Sequence, residues 1–155
     1  MRTIAELLAD VPVLADLPPE QRATIAGCGH LAVFERDAWL LREGDPADRF
    51  YVIREGAVAI ETFAPQRGAV TLQTLHAGDV VGWSWLVAPY RTAHDARAVE
   101  RTHAIVFDGA CLRDKCDRDP ALGYAVLQRF AAVIVERLQR TRLQVLDLYD
   151  PASGT

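Results

Sequence analysis

Three cysteines, four histidines and a cluster of arginines carry most of the side-chain chemistry available to this chain. Cys28, Cys111 and Cys116 contain no CxxC pair, and the spacing of Cys111 and Cys116 does not suit a zinc clip. Neither a disulfide nor a metal framework is expected from them. Cys111 follows Asp108-Gly109, near a helix start where a thiolate is favoured, although a half-buried structural thiol is the commoner state. His30, His76, His94 and His103 fall in separate segments. His94-Asp95 is the nearest approach to a metal pair, and a surface loop explains it equally well. No nucleophile elbow, phosphate loop or paired-carboxylate constellation occurs, so the chain reads as a non-enzyme. Arg137, Arg140 and Arg142 read as the solvated face of a helix rather than a phosphate-binding patch.

Half of the 155 residues are apolar, enough for one good core. The net charge of −4 argues against a broad nucleic-acid footprint. No apolar run approaches the ~18–20 residues that span a bilayer. The N-terminus also lacks a signal-peptide pattern, which predicts a soluble, cytoplasmic protein without membrane partners. Thr3 can cap a helix over Ile4 to Leu8, and Pro18-Pro19-Glu20 launches a second to about Ala26. From Leu31 to Phe107, short apolar runs alternate with Gly, Pro, Asp and charged residues. The pattern predicts about eight short strands in a sandwich, jelly roll or small barrel. Within it, Phe50 to Ile53 and Ala57 to Ile60 flank Arg54-Glu55-Gly56, predicting a tight hairpin with Gly56 at positive φ.

Pro120 opens a run of helix formers that reaches Tyr149. Leu127, Ala131, Ile134, Leu138, Thr141, Val145 and Leu148 recur at alternating steps of four and three, a heptad seam. A narrow seam of this kind favours a homodimer through residues 127–148. A second stripe, Val126, Phe130 and Val133, can pack on the β unit. The organisation expected is one domain: N-terminal helices over 1–30, a β-roll over 31–109, C-terminal helices over 110–149 and a frayed tail over 150–155.

This order of elements resembles the Crp/Fnr-type cyclic-nucleotide-binding domains. Leu17-Pro18-Pro19-Glu20 is similar to the family's opening helix. Leu41-Arg42-Glu43-Gly44-Asp45 and Asp48-Arg49-Phe50-Tyr51-Val52-Ile53 are similar to its first glycine turn and core strand, and Gly56-x-Val58 to its hairpin. Gly78-Asp79-Val80-Val81-Gly82 resembles the opening of the phosphate-binding cassette, here 78–97, and Ala96-Arg97-Ala98-Val99-Glu100 the strand after it. The resemblance implies a double-stranded β-helix, or jelly roll, with flanking helices and a long C-terminal dimerisation helix. In some relatives haem is bound, and His76 or Cys28 could serve as an axial ligand, though nothing marks either out.

The resemblance also implies a ligand site, and there the sequence departs from the family. A carboxylate normally follows the last cassette glycine and accepts the ribose hydroxyl, while an arginine and a small hydroxyl residue hold the cyclic phosphate. Here Trp83 follows Gly82, and an indole donates a hydrogen bond but accepts none. Arg91-Thr92 supplies the arginine–hydroxyl pair one residue early, which on a strand turns it to the other face. Thr141 matches the dimer-helix threonine that contacts the purine, yet also reads as a polar break that sets helix register. The candidate ligand contacts are therefore Gly82, Trp83, Ser84, Arg91, Thr92 and Thr141. Trp83 and Trp85 either plug the pocket or wall a new one.

No cofactor is predicted, with a cyclic nucleotide the one ligand the family brings in. The expected function is a regulatory or sensory module with altered or lost nucleotide binding, signalling through a dimer helix to a protein partner. The alternatives are a ligand-free interaction module and a domain that binds a cyclic nucleotide weakly. Family transcription factors carry a winged helix-turn-helix after the long helix. This sequence stops at Thr155, so no direct DNA binding is expected.

Overall fold

A computed structural model of the chain describes residues 1–149, and the tail expected over 150–155 lies outside the described residues. Two helices come first, α1 at Ile4–Leu8 and α2 at Pro19–Ala26. Eight strands follow: β1 Gly29–Phe34, β2 Trp39–Leu41, β3 Arg49–Glu55, β4 Ala57–Ala64, β5 Gly68–His76, β6 Val80–Val81, β7 Asp95–Ala98 and β8 Thr102–Asp108. A 3-10 turn at Ser84–Leu86 separates β6 from β7, and α3 (Gly109–Arg118) and α4 (Pro120–Tyr149) close the described chain. The first helix begins as its sequence dictates. The Thr3 hydroxyl accepts from the Glu6 N–H at 3.2 Å while the Glu6 carboxylate accepts from the Thr3 N–H at 3.1 Å, a reciprocal capping box.

The strands form two four-stranded sheets, ordered β1-β8-β3-β6 and β2-β7-β4-β5, and every pairing is antiparallel. This is the expected jelly roll with flanking helices. Successive side chains on a strand face opposite ways, so β3 and β8 serve two cores at once. Tyr51, Ile53 and Val106 point into the roll with Val58, Leu75 and Val81. Phe50, Val52, Ile105 and Phe107 point outward, where the helices cover them with Leu8, Ile25, Leu112, Leu122 and Phe130. Burial on both faces is why these strands read as unbroken apolar runs.

The hairpin expected at Gly56 does not form. Strands β3 and β4 are not hydrogen-bonded neighbours; they lie in different sheets, and residues 55–57 make the corner between them. Gly56 has the anticipated positive φ of 109°, but closeness matters as much. A Cβ there would stand 2.5 Å from Thr102 Oγ1 and 2.7 Å from the Arg101 carbonyl oxygen, so only glycine fits against the β7–β8 turn.

The cysteine expectation also fails. Cys28, just past the end of α2, is disulfide-bonded to Cys111 in the first turn of α3, with Cα atoms 5.9 Å apart and a sequence separation of 83. Cys111 does sit at a helix start, where its N–H donates to the Asp108 carboxylate at 3.0 Å, but it is no thiolate. Cys116 is the free cysteine, and burial pushes its thiol pKa up. Among the described residues, no helix is long and apolar enough to cross a membrane.

Candidate functional site

Two left-handed glycines shape the segment that follows β5. Gly78 (φ 91°) donates its N–H to the Ile53 carbonyl at 2.8 Å, and Ile53 donates to the Asp79 carbonyl at 3.1 Å, so the turn is pinned to β3. Gly82 (φ 92°) bends the chain out of β6 where a Cβ would press on Leu41 Cδ1 at 3.1 Å. That bend delivers Trp83 and the 3-10 turn to α4.

The two tryptophans part company there. Trp85 is fully buried (0% exposed), stacked on Phe50 at 4.7 Å and edge-on to Phe130 of α4 at 5.3 Å. It belongs to the helical core. Trp83 is half-buried, with the Arg137 guanidinium over its face at 5.3 Å and the His94 ring edge-on at 6.1 Å. It forms one wall of a cavity of about 250 Å³. Strands β4 and β5 contribute Ile60, Leu72 and Gln73 to that cavity, and His94 joins from just before β7. Helix α4 closes it with Ile134, Arg137, Leu138 and Thr141. The tether is strengthened by the Gln144 side-chain amide, which donates to the Leu72 carbonyl at 2.7 Å.

Arg137 was expected on a solvated helix face, and this is corrected: it is 8% exposed. Its Nη2 donates to the Val80 carbonyl, so the helix holds the cassette backbone directly. Among the described residues it takes part in no ion pair. Burial lowers its pKa to about 10, with Arg140 pushing the same way and Asp79 and Glu136 opposing. Burial also lowers the His94 pKa, aided by the Arg137 charge, against Asp95 and Glu43. His94 Nδ1 and Gln73 Nε2 are both buried without a hydrogen-bond partner.

Of the residues singled out from sequence, the cavity gathers Trp83 and Thr141. The Thr141 hydroxyl donates to the Arg137 carbonyl at 3.0 Å. Gly82 is buried and sets the bend. Ser84 opens the 3-10 turn beside the cavity, outside its lining. Arg91 is exposed and bridges Pro46, while Thr92, 5% exposed, exchanges backbone hydrogen bonds at 2.9 Å with Gly44 and Asp45. The arginine–hydroxyl pair thus lies on the β2–β3 turn and not in the cavity. The residues that sequence reasoning passed over are Arg137, His94 and Gln73. Arg137 had a readable signal, since it precedes Thr141 by one helical turn and must share its face.

Comparison with known proteins agrees with this geometry. The cyclic nucleotide-binding domain family matches residues 31–119, more than half the chain, and the protein belongs to that family. Among solved structures, a putative cyclic nucleotide-binding protein from Geobacter metallireducens GS-15 is 27% identical, with a TM-score of 0.79 over 89% of this chain and 99% of that one. A cyclic nucleotide-binding domain from Methylobacillus flagellatus KT is 24% identical, with a TM-score of 0.79 over 93% of this chain and 81% of that one. The regulatory subunit of a cAMP-independent protein kinase A from Trypanosoma cruzi, bound to guanosine, shares the fold at 20% identity, with a TM-score of 0.64 over 79% of this chain and 47% of that one. No curated protein matches the chain.

Proposed function

We propose that this chain is a sensory or regulatory module of the cyclic nucleotide-binding family whose pocket no longer captures cyclic AMP tightly, and that it signals through α4. The observation that carries the reading is the junction of cassette and helix. Arg137 bonds the Val80 carbonyl and covers Trp83, and Phe130 packs on Trp85. Anything that moves Trp83 therefore bears on α4, which carries exposed apolar residues beyond the cavity, with Leu127 at 53% and Leu148 at 77%. A second copy of the chain, seated along residues 127–148, is the partner that seam fits best. A bound ligand would bias how two such helices meet.

The lining supports the loss of tight cyclic AMP binding. A ribose needs an acceptor for its hydroxyls, and Trp83 offers none where the family places a carboxylate. Arg91 stands outside the cavity, so the arginine with which the family grips the phosphate is not among its walls. The trypanosomal relative shows that this fold accommodates ligands other than a cyclic nucleotide.

Tryptophan emission during titration tests the reading. Trp83 lines the cavity, so any small molecule that enters should shift the spectrum. Cyclic AMP and cyclic GMP are expected to leave it unchanged at micromolar concentration. Saturable micromolar binding of either would refute the altered pocket.

A further inference from the structure

The polar atoms of the Trp83 cavity are unbalanced in one direction. Gln73 Nε2 is a donor without a partner, and Arg137 brings a guanidinium with five N–H groups of which one bond, to Val80, is accounted for. The Thr141 hydroxyl spends its proton on the Arg137 carbonyl. His94 presents a buried Nδ1 without a hydrogen-bond partner, which serves as donor in the matching tautomer. No carboxylate lines the space. Buried charges are ordinarily paired; Asp79 and Glu136 act on Arg137 only from outside the cavity lining, so its guanidinium is costly to bury there unless something inside the cavity neutralises it. The remaining walls, Ile60, Leu72, Ile134 and Leu138, are hydrocarbon, and Trp83 adds an aromatic face.

Resting on the reading of this cavity as the ligand site, we infer that its occupant is a small organic acid: one ring-sized apolar body bearing a carboxylate directed at Arg137 and Gln73. Size and polarity both favour that class over a nucleotide. A dry cavity of about 150 Å³ takes a benzene ring, and the cavity here, at about 250 Å³, has room for a ring and a carboxylate. It falls below the roughly 300–1,000 Å³ typical of larger ligands. A sugar would also have to seat several hydroxyls against the hydrocarbon of Ile60, Leu72, Ile134 and Leu138, which offers them no partner.

Calorimetric titration of the full chain with benzoate, benzamide and cyclic AMP tests this, with tryptophan emission followed in parallel. Benzoate should bind and perturb the emission, and benzamide, the neutral isostere, should bind about tenfold more weakly because the charge-assisted bonds are lost. Arg137→Met should weaken benzoate by about tenfold or more, and Gln73→Leu by a smaller factor, with benzamide affected little. Because Arg137 also anchors Val80, Gln73→Leu provides the arm that leaves this anchor in place. Equal binding of benzoate and benzamide, indifference of benzoate to Gln73→Leu, or tighter binding of cyclic AMP would overturn the organic-acid inference while leaving a ligand-binding module standing. Silence from all three probes would overturn the inference and the sensor reading together, in favour of a ligand-free interaction module.

Discussion

His94 and Arg137 show how one contact sets the behaviour of a site. They face the same cavity, and burial together with the Arg137 charge holds the imidazole below its usual pKa of 6.5, while Asp95 and Glu43 pull weakly the other way. The unfolded chain takes up a proton near pH 6.5 that the folded chain resists, so stability falls as pH drops through that value and is unaffected well above it. His94→Gln removes the titration. Its loss of thermal midpoint between about pH 7 and pH 5 should be smaller than that of the unaltered protein. Identical losses would mean that His94 is protonated as readily in the folded state as in the unfolded one. This pairing was not legible in the sequence. Arg137 can be placed on the helix face of Thr141, but nothing in the sequence shows that Trp83 and His94 arrive on that face. Trp83 itself was legible, because a residue type incompatible with a hydrogen-bond acceptor stands where a recognisable glycine turn ends.

Among the elements, local signals were reliable and non-local ones were not. The eight strands and four helices announce themselves through apolar runs, proline at helix starts and the Thr3 and Asp108 caps. Which strand pairs with which is a different matter. A glycine between two apolar runs suits a hairpin and a sheet-to-sheet corner equally, and the corner at Gly56 is imposed by the β7–β8 turn packed against it. The Cys28–Cys111 bond escaped notice for the same reason: β8 pairs with β1 and brings the two ends together. With its ends separated by 83 positions in sequence, the crosslink should contribute about 2–4 kcal/mol by restricting the unfolded chain. A Cys28→Ser/Cys111→Ser double variant should therefore melt lower than the oxidised protein, and a dithiol reductant should lower the unaltered protein's midpoint but not the variant's. Thiol titration of the unfolded, unreduced protein should count Cys116 alone. Three reactive thiols and no effect of reductant would remove the crosslink from the account. Cytosolic thiols open disulfides that oxidising surroundings preserve, so this bond ties the anchoring of α3 to the redox state around the protein. Helix α3 in turn holds the cassette, since Arg113 donates to the Trp85 carbonyl at 2.6 Å.

For the whole molecule, the decisive element is α4, because it has three faces with three tasks. Val126 and Phe130 are buried in the helical core and fix the helix to the roll. Arg137 and Thr141 close the cavity. Leu127, Val145, Leu146 and Leu148 remain exposed, and a run of large apolar side chains along one helix is more than scattered surface hydrophobicity explains. Ile134, Leu138 and Thr141 belong to the cavity lining and to the heptad seam alike, so the proposed pairing of two chains would act on the same side chains as occupancy of the pocket. Linkage then requires that whatever strengthens one alters the other by the same factor. Ile134 and Leu138 are poor choices for testing this, since a charge there would damage the cavity too. Val145→Asp places a carboxylate on the seam beyond the cavity, where it would meet its own copy across a parallel pair. Sedimentation equilibrium should find the unaltered chain dimeric and the Val145→Asp chain monomeric, with little change in monomer thermal stability because the residue is 45% exposed and belongs to neither core cluster. The monomeric variant should also bind the pocket's ligand with a changed affinity. A variant that stays dimeric, or an unaltered chain that sediments as a monomer, would leave the exposed seam to another partner and remove the route from pocket to dimer.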